Sequence, residues 1–201
     1  GISFVIKNNI ISSNLSGAGI SIGISDPFLI EKNIITGNII GIEVLNRGTM
    51  NIGTIANNFI NISSNYGIYI NGISSVGIDL LHNTVNNSSA VKSSTALYVE
   101  GRAAGIKNIN NIYSHLGGGY AIYSAGTYSV ASNFKLSTKN NYYVTGKNLA
   151  YWLGDKATLA DFVAASKIDS NSVSEDPLYE TITDLHISHN AVLSNAGYTG
   201  T

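Results

Sequence analysis

Four aromatic residues recur at matching positions in this sequence and could form a binding surface. Each follows a small residue and an apolar residue, as in Gly67-Ile68-Tyr69-Ile70, and the four are Tyr69, Tyr98, Tyr123 and Trp152. Where the apolar neighbours point inwards along a strand, these rings point outwards. Flat rings along a ridge suit the apolar faces of sugars, so we predict a glycan-binding ridge. Stacked rings that only stabilise a sheet are the alternative.

Charged residues suited to catalysis are sparse around these aromatic residues. Glu43, Arg47, Glu100 and Arg102 lie in or just after the same segments, but the two acids are two repeats apart. That separation is about 10 Å between stacked strands, whereas a Ca²⁺ site needs roughly six to eight oxygen ligands at 2.3–2.6 Å. We therefore predict no catalytic residue, no metal ion and no other cofactor.

Histidines and the remaining acids give no convergent pattern. Asp79 and His82 flank one turn and could exchange protons, but turn capping explains them more simply. His186 and His189 are three residues apart, which places them on opposite faces of a strand, and His115 is isolated from both. The densest acids fall in the last quarter, where we expect a solvated loop: Asp169, Glu175, Asp176 and Glu180.

The composition predicts strands and tight turns. Charged residues make up 11% of the 201 residues, against about 25% in average soluble domains. Ile favours strands, Asn and Gly favour turns, and the chain has 28 Ile, 25 Asn and 21 Gly.

A net charge of −1 offers no basic surface for nucleic acid. The chain has no Cys for disulfides, and no apolar run reaches the roughly 18 residues of a spanning helix.

An Asn-containing turn recurs about every 25 residues, and this period predicts the fold. The aligned Asn residues are separated by 24, 25, 25, 28 and 30 positions: Asn9, Asn33, Asn58, Asn83, Asn111 and Asn141. Asn190 is expected to mark one more coil. Three short strands per period predict an all-β fold, a right-handed parallel β-helix of six to seven coils. The stacked Asn amides would hydrogen-bond from coil to coil, and Asn would suit a left-handed turn.

Equivalent apolar residues should stack in the interior. One predicted column consists of Ile20, Ile42, Ile68, Leu97, Ile122 and Tyr151. A second, interrupted by Ser124, consists of Ile22, Val44, Ile70, Val99 and Leu153.

The last quarter departs from the regular repeat. We expect regular coils over 1–153 and an irregular C-terminal coil with a short helix over 154–201, within the same domain. Thr158 followed by Asp161 resembles a capping box, which predicts a helix near 158–166 that packs Leu159 and Phe162 against the stack. Because Gly1 begins inside a repeat, we expect the chain to be part of a larger protein.

These repeats resemble the right-handed β-helix superfamily that includes pectate lyases, whose Asn ladder lies between the second and third strands of each coil. The series Tyr142-Tyr143, Asn148-Leu149-Ala150-Tyr151-Trp152, Asp176-Pro177-Leu178 and Asp184-Leu185-His186-Ile187 is similar to the C-terminal end of β-helix regions in secreted or surface proteins of Bacteroidetes. Where those proteins often have Ser-Pro, this chain has His189-Asn190-Ala191. In the lyase-like relatives, the strand equivalent to the aromatic segment lines the saccharide groove.

Taken together, these features favour a binding module over an enzyme. The resemblance implies an extracellular or cell-surface location, with an extracellular polysaccharide or matrix as partner and no nucleic acid. The alternative is a polysaccharide lyase or hydrolase whose other residues lie elsewhere in a longer chain. An ice-binding helix would need regular Thr arrays, which the repeats lack.

Overall fold

The backbone winds into a parallel β-helix, as the repeat predicts. The computed structural model describes residues 4–12, 16–23, 27–46, 52–72, 77–101, 103–125, 133–181, 183–188 and 193. Each coil contributes one strand to each of three sheets, and about five complete turns separate the first coil from the sixth. The expected coil at Asn190 lies outside the described residues. The right-handed sense stays a prediction, based on the general preference of parallel crossovers.

The three sheets take their strands from successive coils. Sheet 1 contains β1 (Phe4–Lys7), β4 (Phe28–Glu31), β7 (Ile52–Ala56), β10 (Gly77–Leu81), β13 (Ile106–Ile109) and β16 (Phe134–Thr138). Sheet 2 contains β2 (Ile10–Ser12), β5 (Ile34–Thr36), β8 (Phe59–Ile62), β11 (Thr84–Asn87), β14 (Ile112–His115) and β17 (Asn141–Val144). Sheet 3 contains β3 (Ala18–Ile22), β6 (Ile40–Asn46), β9 (Tyr66–Gly72), β12 (Thr95–Gly101), β15 (Tyr120–Ala125), β18 (Ala150–Trp152) and the antiparallel β19 (Asp155–Lys156).

Inward side chains of like kind stack along the axis. In sheet 3 the first predicted column is in register and buried through five coils: Ile20, Ile42, Ile68, Leu97 and Ile122. Burial of each such side chain stabilises the fold by about 1.5–3 kcal/mol. A single coil cannot bury its own apolar face, so this stabilisation comes from stacking.

The sixth coil departs from the predicted register by one residue. Ala150, not Tyr151, pairs with Ile122, and Trp152, not Leu153, pairs with Ser124. Tyr151 therefore points outwards. Leu153 is 73% exposed and has a positive φ of 52° in the turn after β18. The shifted register lets the large indole of Trp152, rather than Leu153, fill the interior position next to the small Ser124.

The small residue before each inward position of sheet 3 is required by packing. A Cβ atom on Gly41 would lie 2.4 Å from Ile60 Cγ2, and one on Gly67 would lie 2.2 Å from Val85 Cγ1. The Gly67 Cβ atom would also lie 2.6 Å from the carbonyl oxygen of Ala96 in the next coil. Side chains of sheet 2 thus pack directly against the backbone of sheet 3 at this corner.

We expect Gly67→Ala to lower the free energy of unfolding by about 2 kcal/mol, because both a side chain and a backbone oxygen must move. Urea denaturation would measure the change. Gly23→Ala is the matched control, since no atom lies within 4 Å of its added Cβ, and its effect should stay within about 0.5 kcal/mol. Equal stability of the two variants would contradict this account of the corner.

A ladder of Asn side chains follows the turn between sheets 1 and 2. At each step the backbone N–H and the Nδ2 amide of one Asn both donate to Oδ1 of the next, at 2.9–3.2 Å. The ladder consists of Asn9, Asn33, Asn58, Asn83, Asn111 and Asn140. The Nδ2 amides of the internal members also donate to a backbone carbonyl of the preceding coil. All the amides therefore point in the same direction along the axis.

The last Asn of the ladder is Asn140, so the prediction of Asn141 is wrong by one residue. Asn141 begins β17, and its side chain bonds the backbone N–H and carbonyl of Glu175 at 2.9 Å. Beyond Asn140 the ladder ends at Asp169, whose Oδ1 accepts from Asn140 Nδ2 at 2.9 Å. Burial raises the pKa of Asp169, while hydrogen bonds from Ser172 and other neighbours oppose that rise.

The left-handed residue of each turn is the one before the ladder Asn. These residues have φ between 54° and 59°: Asn8, Lys32, Asn57, His82, Asn110 and Lys139. Of the two predicted reasons for Asn in the ladder, its tolerance of left-handed backbone is therefore wrong, whereas hydrogen bonding from coil to coil is confirmed. Hydrogen bonding of the side-chain amide selects Asn in the ladder, and His82 occupies a turn position.

The predicted C-terminal helix is present as α1 (Leu159–Ser166). Thr158 caps it, because its Oγ1 accepts from the N–H of Asp161 at 3.1 Å while the Asp161 carboxylate accepts from the N–H of Thr158. Phe162 is fully buried and makes edge contacts with Tyr142 and Trp152. Leu159 packs beside it, partly buried. The helix therefore covers the end of the stack.

The chain then runs back across the outside of sheet 2 as a C-terminal strap, residues 173–188, in which residue 182 is not described. Val173 pairs with Asn141 in the sixth coil. Tyr179 Oη lies 2.8 Å from Ser114 Oγ in the fifth, and the His186 ring meets Phe59 in the third, edge-on at 4.7 Å. The strap thus contacts coils well separated in sequence.

Candidate functional site

The outer face of sheet 3 carries a column of four tyrosines. Tyr69, Tyr98, Tyr123 and Tyr151 occupy paired positions on β9, β12, β15 and β18. Their rings point outwards because the neighbouring residues, such as Ile68, are buried inside the coils. Tyr69, Tyr98 and Tyr123 lie where the sequence predicts them.

Trp152, the fourth predicted member, is not on this surface. It is 2% exposed and lies inside the sixth coil, with ring centroids 6.1 Å from Phe134 and 5.6 Å from Phe162. The one-residue shift of β18 reverses the two sides of the strand. Tyr151 therefore replaces Trp152 at the end of the column.

A second column of the same face was not predicted. Tyr66, Thr95 and Tyr120 pair across β9, β12 and β15. The available signal was a tyrosine immediately before the small residue of two repeats, in Tyr66-Gly67 and Tyr120-Ala121. The two columns together form the tyrosine face: Tyr66, Tyr69, Tyr98, Tyr120, Tyr123 and Tyr151.

The rings of the tyrosine face pack mainly against one another. Tyr98 and Tyr123 stack with centroids 4.9 Å apart and planes 4° apart, and Tyr123 and Tyr151 stack at 4.2 Å and 7°. Tyr66 packs against Tyr69 at 5.2 Å and against Tyr98 at 4.6 Å. Ring faces in the middle of the column are thus covered by their neighbours. A ligand there would meet ring edges and hydroxyl groups instead of the flat faces that the sequence suggested.

Polar side chains border the tyrosine face at two places. Tyr69 Oη donates a hydrogen bond to Glu100, and Asn71 Nδ2 donates to Tyr69 Oη at 2.9 Å. At the other end, Asp155 accepts from Tyr120 Oη and from Asn148 Nδ2, both at 2.8 Å. The Thr95 hydroxyl, buried between the two ends, has no hydrogen-bond partner among the described residues.

The hydroxyl groups of Tyr98 and Tyr120 stay protonated at neutral pH. Burial, with the negative charge of Glu100 as a second cause, raises the pKa of Tyr98 to about 12. Burial and a hydrogen bond to Asp155 raise the pKa of Tyr120 to about 12. The face therefore presents hydrogen-bond donors and carboxylate acceptors, and its tyrosines are poor nucleophiles.

The charged residues considered for catalysis lie apart from one another. Glu43 continues the tyrosine column towards the N-terminus, where its carboxylate accepts from Ser21 Oγ at 2.7 Å. Asp79 forms its ion pair with Lys107, at 3.0 Å on sheet 1, and not with His82. Arg47 and Arg102 lie outside the described residues.

His115 makes a buried contact with Ser94 that sequence spacing did not reveal. Its Nδ1 accepts from the N–H groups of Gly119 at 3.0 Å and Gly117 at 3.3 Å. Nε2 must then carry the proton and donate to Ser94 Oγ, 2.8 Å away. A histidine that donates to a serine cannot remove its proton, so this pair joins the end of β14 to the residue before β12. Burial lowers the pKa of His115 to about 4.

The other predicted histidines and acids are scattered. His186 contacts Asp184 on the exposed strap, His189 is not described, and Asp169 ends the Asn ladder. Within the described ranges, no three His, Cys, Asp or Glu residues come close enough together to hold a metal ion. In the same part of the chain, no helix is long and apolar enough to cross a membrane.

Comparison with known proteins found no matching family model, no matching curated protein and no matching solved structure.

Proposed function

We propose that this chain is a binding module of an extracellular bacterial surface protein and that its tyrosine face contacts polysaccharide. The observation that carries the proposal is the register of the tyrosine face. Six tyrosines from four successive coils lie on one outer surface of one sheet. A linear surface of this kind suits a linear ligand better than a compact one.

Tyrosine side chains suit a ligand rich in hydroxyl groups. Each combines an apolar ring with a hydroxyl that both donates and accepts hydrogen bonds. The stacking of Tyr98, Tyr123 and Tyr151 fixes these rings in advance, so little conformational entropy remains to be lost on binding. The Tyr98 hydroxyl makes no hydrogen bond within the described residues, and its raised pKa keeps it a donor.

A further point supports the proposal. The resemblance to β-helix lyases also implies a saccharide groove along the equivalent strand. Extracellular location rests on that resemblance alone.

We expect Tyr98→Phe to weaken polysaccharide binding by about two- to tenfold, the value of one hydrogen bond. The stability should change by less than about 0.5 kcal/mol, because the stacked ring remains. Glycan-array screening followed by calorimetry on the best ligand would measure the affinity, and thermal unfolding would measure the stability. Phenylalanine is preferable to alanine here, since loss of the ring would disturb three neighbouring tyrosines.

Tyr143→Phe provides the matched control. Its hydroxyl bonds Asp176 of the C-terminal strap at 3.1 Å, away from sheet 3, so binding should not change. The proposal fails if the wild-type chain binds no polysaccharide on a broad array. It also fails if Tyr98→Phe and Tyr143→Phe bind a ligand equally well.

A further inference from the structure

Among the described rings of the tyrosine face, Tyr123 and Tyr151 stack most closely. Their ring centroids are 4.2 Å apart and their planes differ by 7°. The two residues are in register on the adjacent strands β15 and β18. Burial is the first cause of the raised pKa of Tyr123, and a hydrogen bond with Tyr151 is among the others, so the hydroxyl ends of the two rings lie together. The ring carbons beside the two hydroxyl groups are therefore opposite each other.

A one-electron oxidant in solution can reach this pair. Both side chains are partly exposed on the outer surface of sheet 3. A second parallel pair, Tyr113 and Tyr142, differs in this respect: its rings stack at 5.7 Å but are fully buried inside the coils. Oxidation from solvent is therefore directed to the outer pair.

We propose that Tyr123 and Tyr151 are a site of oxidative cross-linking, at which a peroxidase and hydrogen peroxide join the two rings as dityrosine. Each phenol gives up one electron and its hydroxyl proton. The two phenoxyl radicals form a bond between the ring carbons beside the hydroxyl groups, and the hydrogen on each of those carbons moves as a proton to restore the hydroxyl. Hydrogen peroxide takes up the two electrons and two protons and becomes two water molecules. This modification does not depend on polysaccharide binding.

The fold supplies the arrangement that coupling needs, which is two rings held in contact. Holding two reactants together turns a step between two molecules into a step within one molecule. Tyr98 also stacks on Tyr123, but at 4.9 Å, so coupling to Tyr151 is favoured.

The product is a covalent link between the fifth and sixth coils. It closes a loop over residues 123–151 and fastens β18 to β15, the strand with which it pairs. A cross-link of this kind stabilises a fold by restricting the unfolded chain. We therefore expect the oxidised wild-type chain to melt at a higher temperature than an oxidised Tyr123→Phe variant.

Mass spectrometry after treatment with a haem peroxidase and hydrogen peroxide tests the proposal. Trypsin releases residues 148–156, in which Tyr151 is the one tyrosine, and residues 108–135, which contain Tyr123. We expect the monomer to yield these two peptides joined with the loss of two hydrogen atoms. The yield per chain should not change with protein concentration, and the product should be lost from chains oxidised in urea, where the rings are no longer held together.

Tyr123→Phe identifies the ring that reacts within residues 108–135. The other tyrosines of that peptide are Tyr113, Tyr120 and Tyr128. Phenylalanine keeps the stacked ring but cannot form a phenoxyl radical, so the joined peptides should be lost. Tyr143→Phe is the control and should retain them, because Tyr143 bonds Asp176 of the C-terminal strap. Absence of the joined peptides from the wild-type monomer, or their retention in Tyr123→Phe, overturns the proposal.

Discussion

Asn58→Leu is expected to lower the free energy of unfolding by about 4 kcal/mol. Asn58 is fully buried, and its Oδ1 accepts from both the N–H and the Nδ2 amide of Asn33. Its own amide donates to Asn83 Oδ1 and to the carbonyl of Ile30. Leucine has a similar volume, so the loss comes from buried polar groups left without partners, each of which costs about 1–3 kcal/mol.

The adjacent Asn57→Gly variant is the matched control. Asn57 is exposed and has a φ of 56°, a conformation that glycine adopts without strain. We expect its stability to stay within about 0.5 kcal/mol of the wild-type value. Urea unfolding of the wild-type chain and both variants would measure the two changes in the free energy of unfolding. A loss below about 1 kcal/mol for Asn58→Leu would mean that the ladder contributes little to stability.

Lowering the pH from 6.5 to 4 should destabilise the fold by about 3 kcal/mol through His115 alone. Burial lowers the pKa of His115 from 6.5 to about 4 in the folded chain. In this pH window the unfolded chain therefore binds a proton that the folded chain does not. The stabilisation is complete above pH 6.5 and is lost as the pH falls towards 4. In the folded state, a proton on Nδ1 would face the N–H groups of Gly117 and Gly119.

The His115→Gln variant separates this effect from other titrations. Glutamine can still offer an acceptor and a donor, but it does not titrate. The raised pKa of Asp169 acts in the opposite sense, because protonation of this buried acid favours the folded chain as the pH falls. The difference between the wild-type and variant stability curves, measured by urea unfolding at a series of pH values, therefore reports His115. Parallel curves would refute the prediction.

Periodicity was enough to predict the β-helix because each coil has the same pattern of inward and outward residues. A turn, an inward apolar residue and a small corner residue recur at nearly constant spacing, so positions such as Ile42 and Ile68 could be assigned to the interior. The short helix was predictable for a local reason. Thr158 and Asp161 form a capping box that depends on no distant residue.

The sixth coil was harder because its residues fit two registers. Asn140 and Asn141 are both plausible ladder members, and either Tyr151 or Trp152 could face outwards. A shift of one residue exchanges the two faces of a strand. The choice depends on the space beside Ser124 and on the contact with Phe162 from the helix, which sequence spacing does not give.

The remaining features of the site depend on loops of irregular length. The Ser94 contact with His115 joins residues 21 positions apart, which is not the period of the repeat. Asp155 reaches Tyr120 across an antiparallel turn after the last parallel strand. No repeat pattern contains these pairings, so only the folded chain shows them.

The C-terminal strap changes how the coils depend on one another. In a stack of repeats each unit ordinarily contacts only its neighbours, so stability is a sum of local contributions and unfolding can begin at one end. Here Val173 pairs at the sixth coil, while the His186 ring lies against Phe59 of the third. Unfolding of the sixth coil, to which Val173 is paired, is therefore expected to weaken the contact between the strap and Phe59 in the third coil as well. The strap couples coils three to six, so we expect them to unfold as one cooperative unit instead of fraying coil by coil.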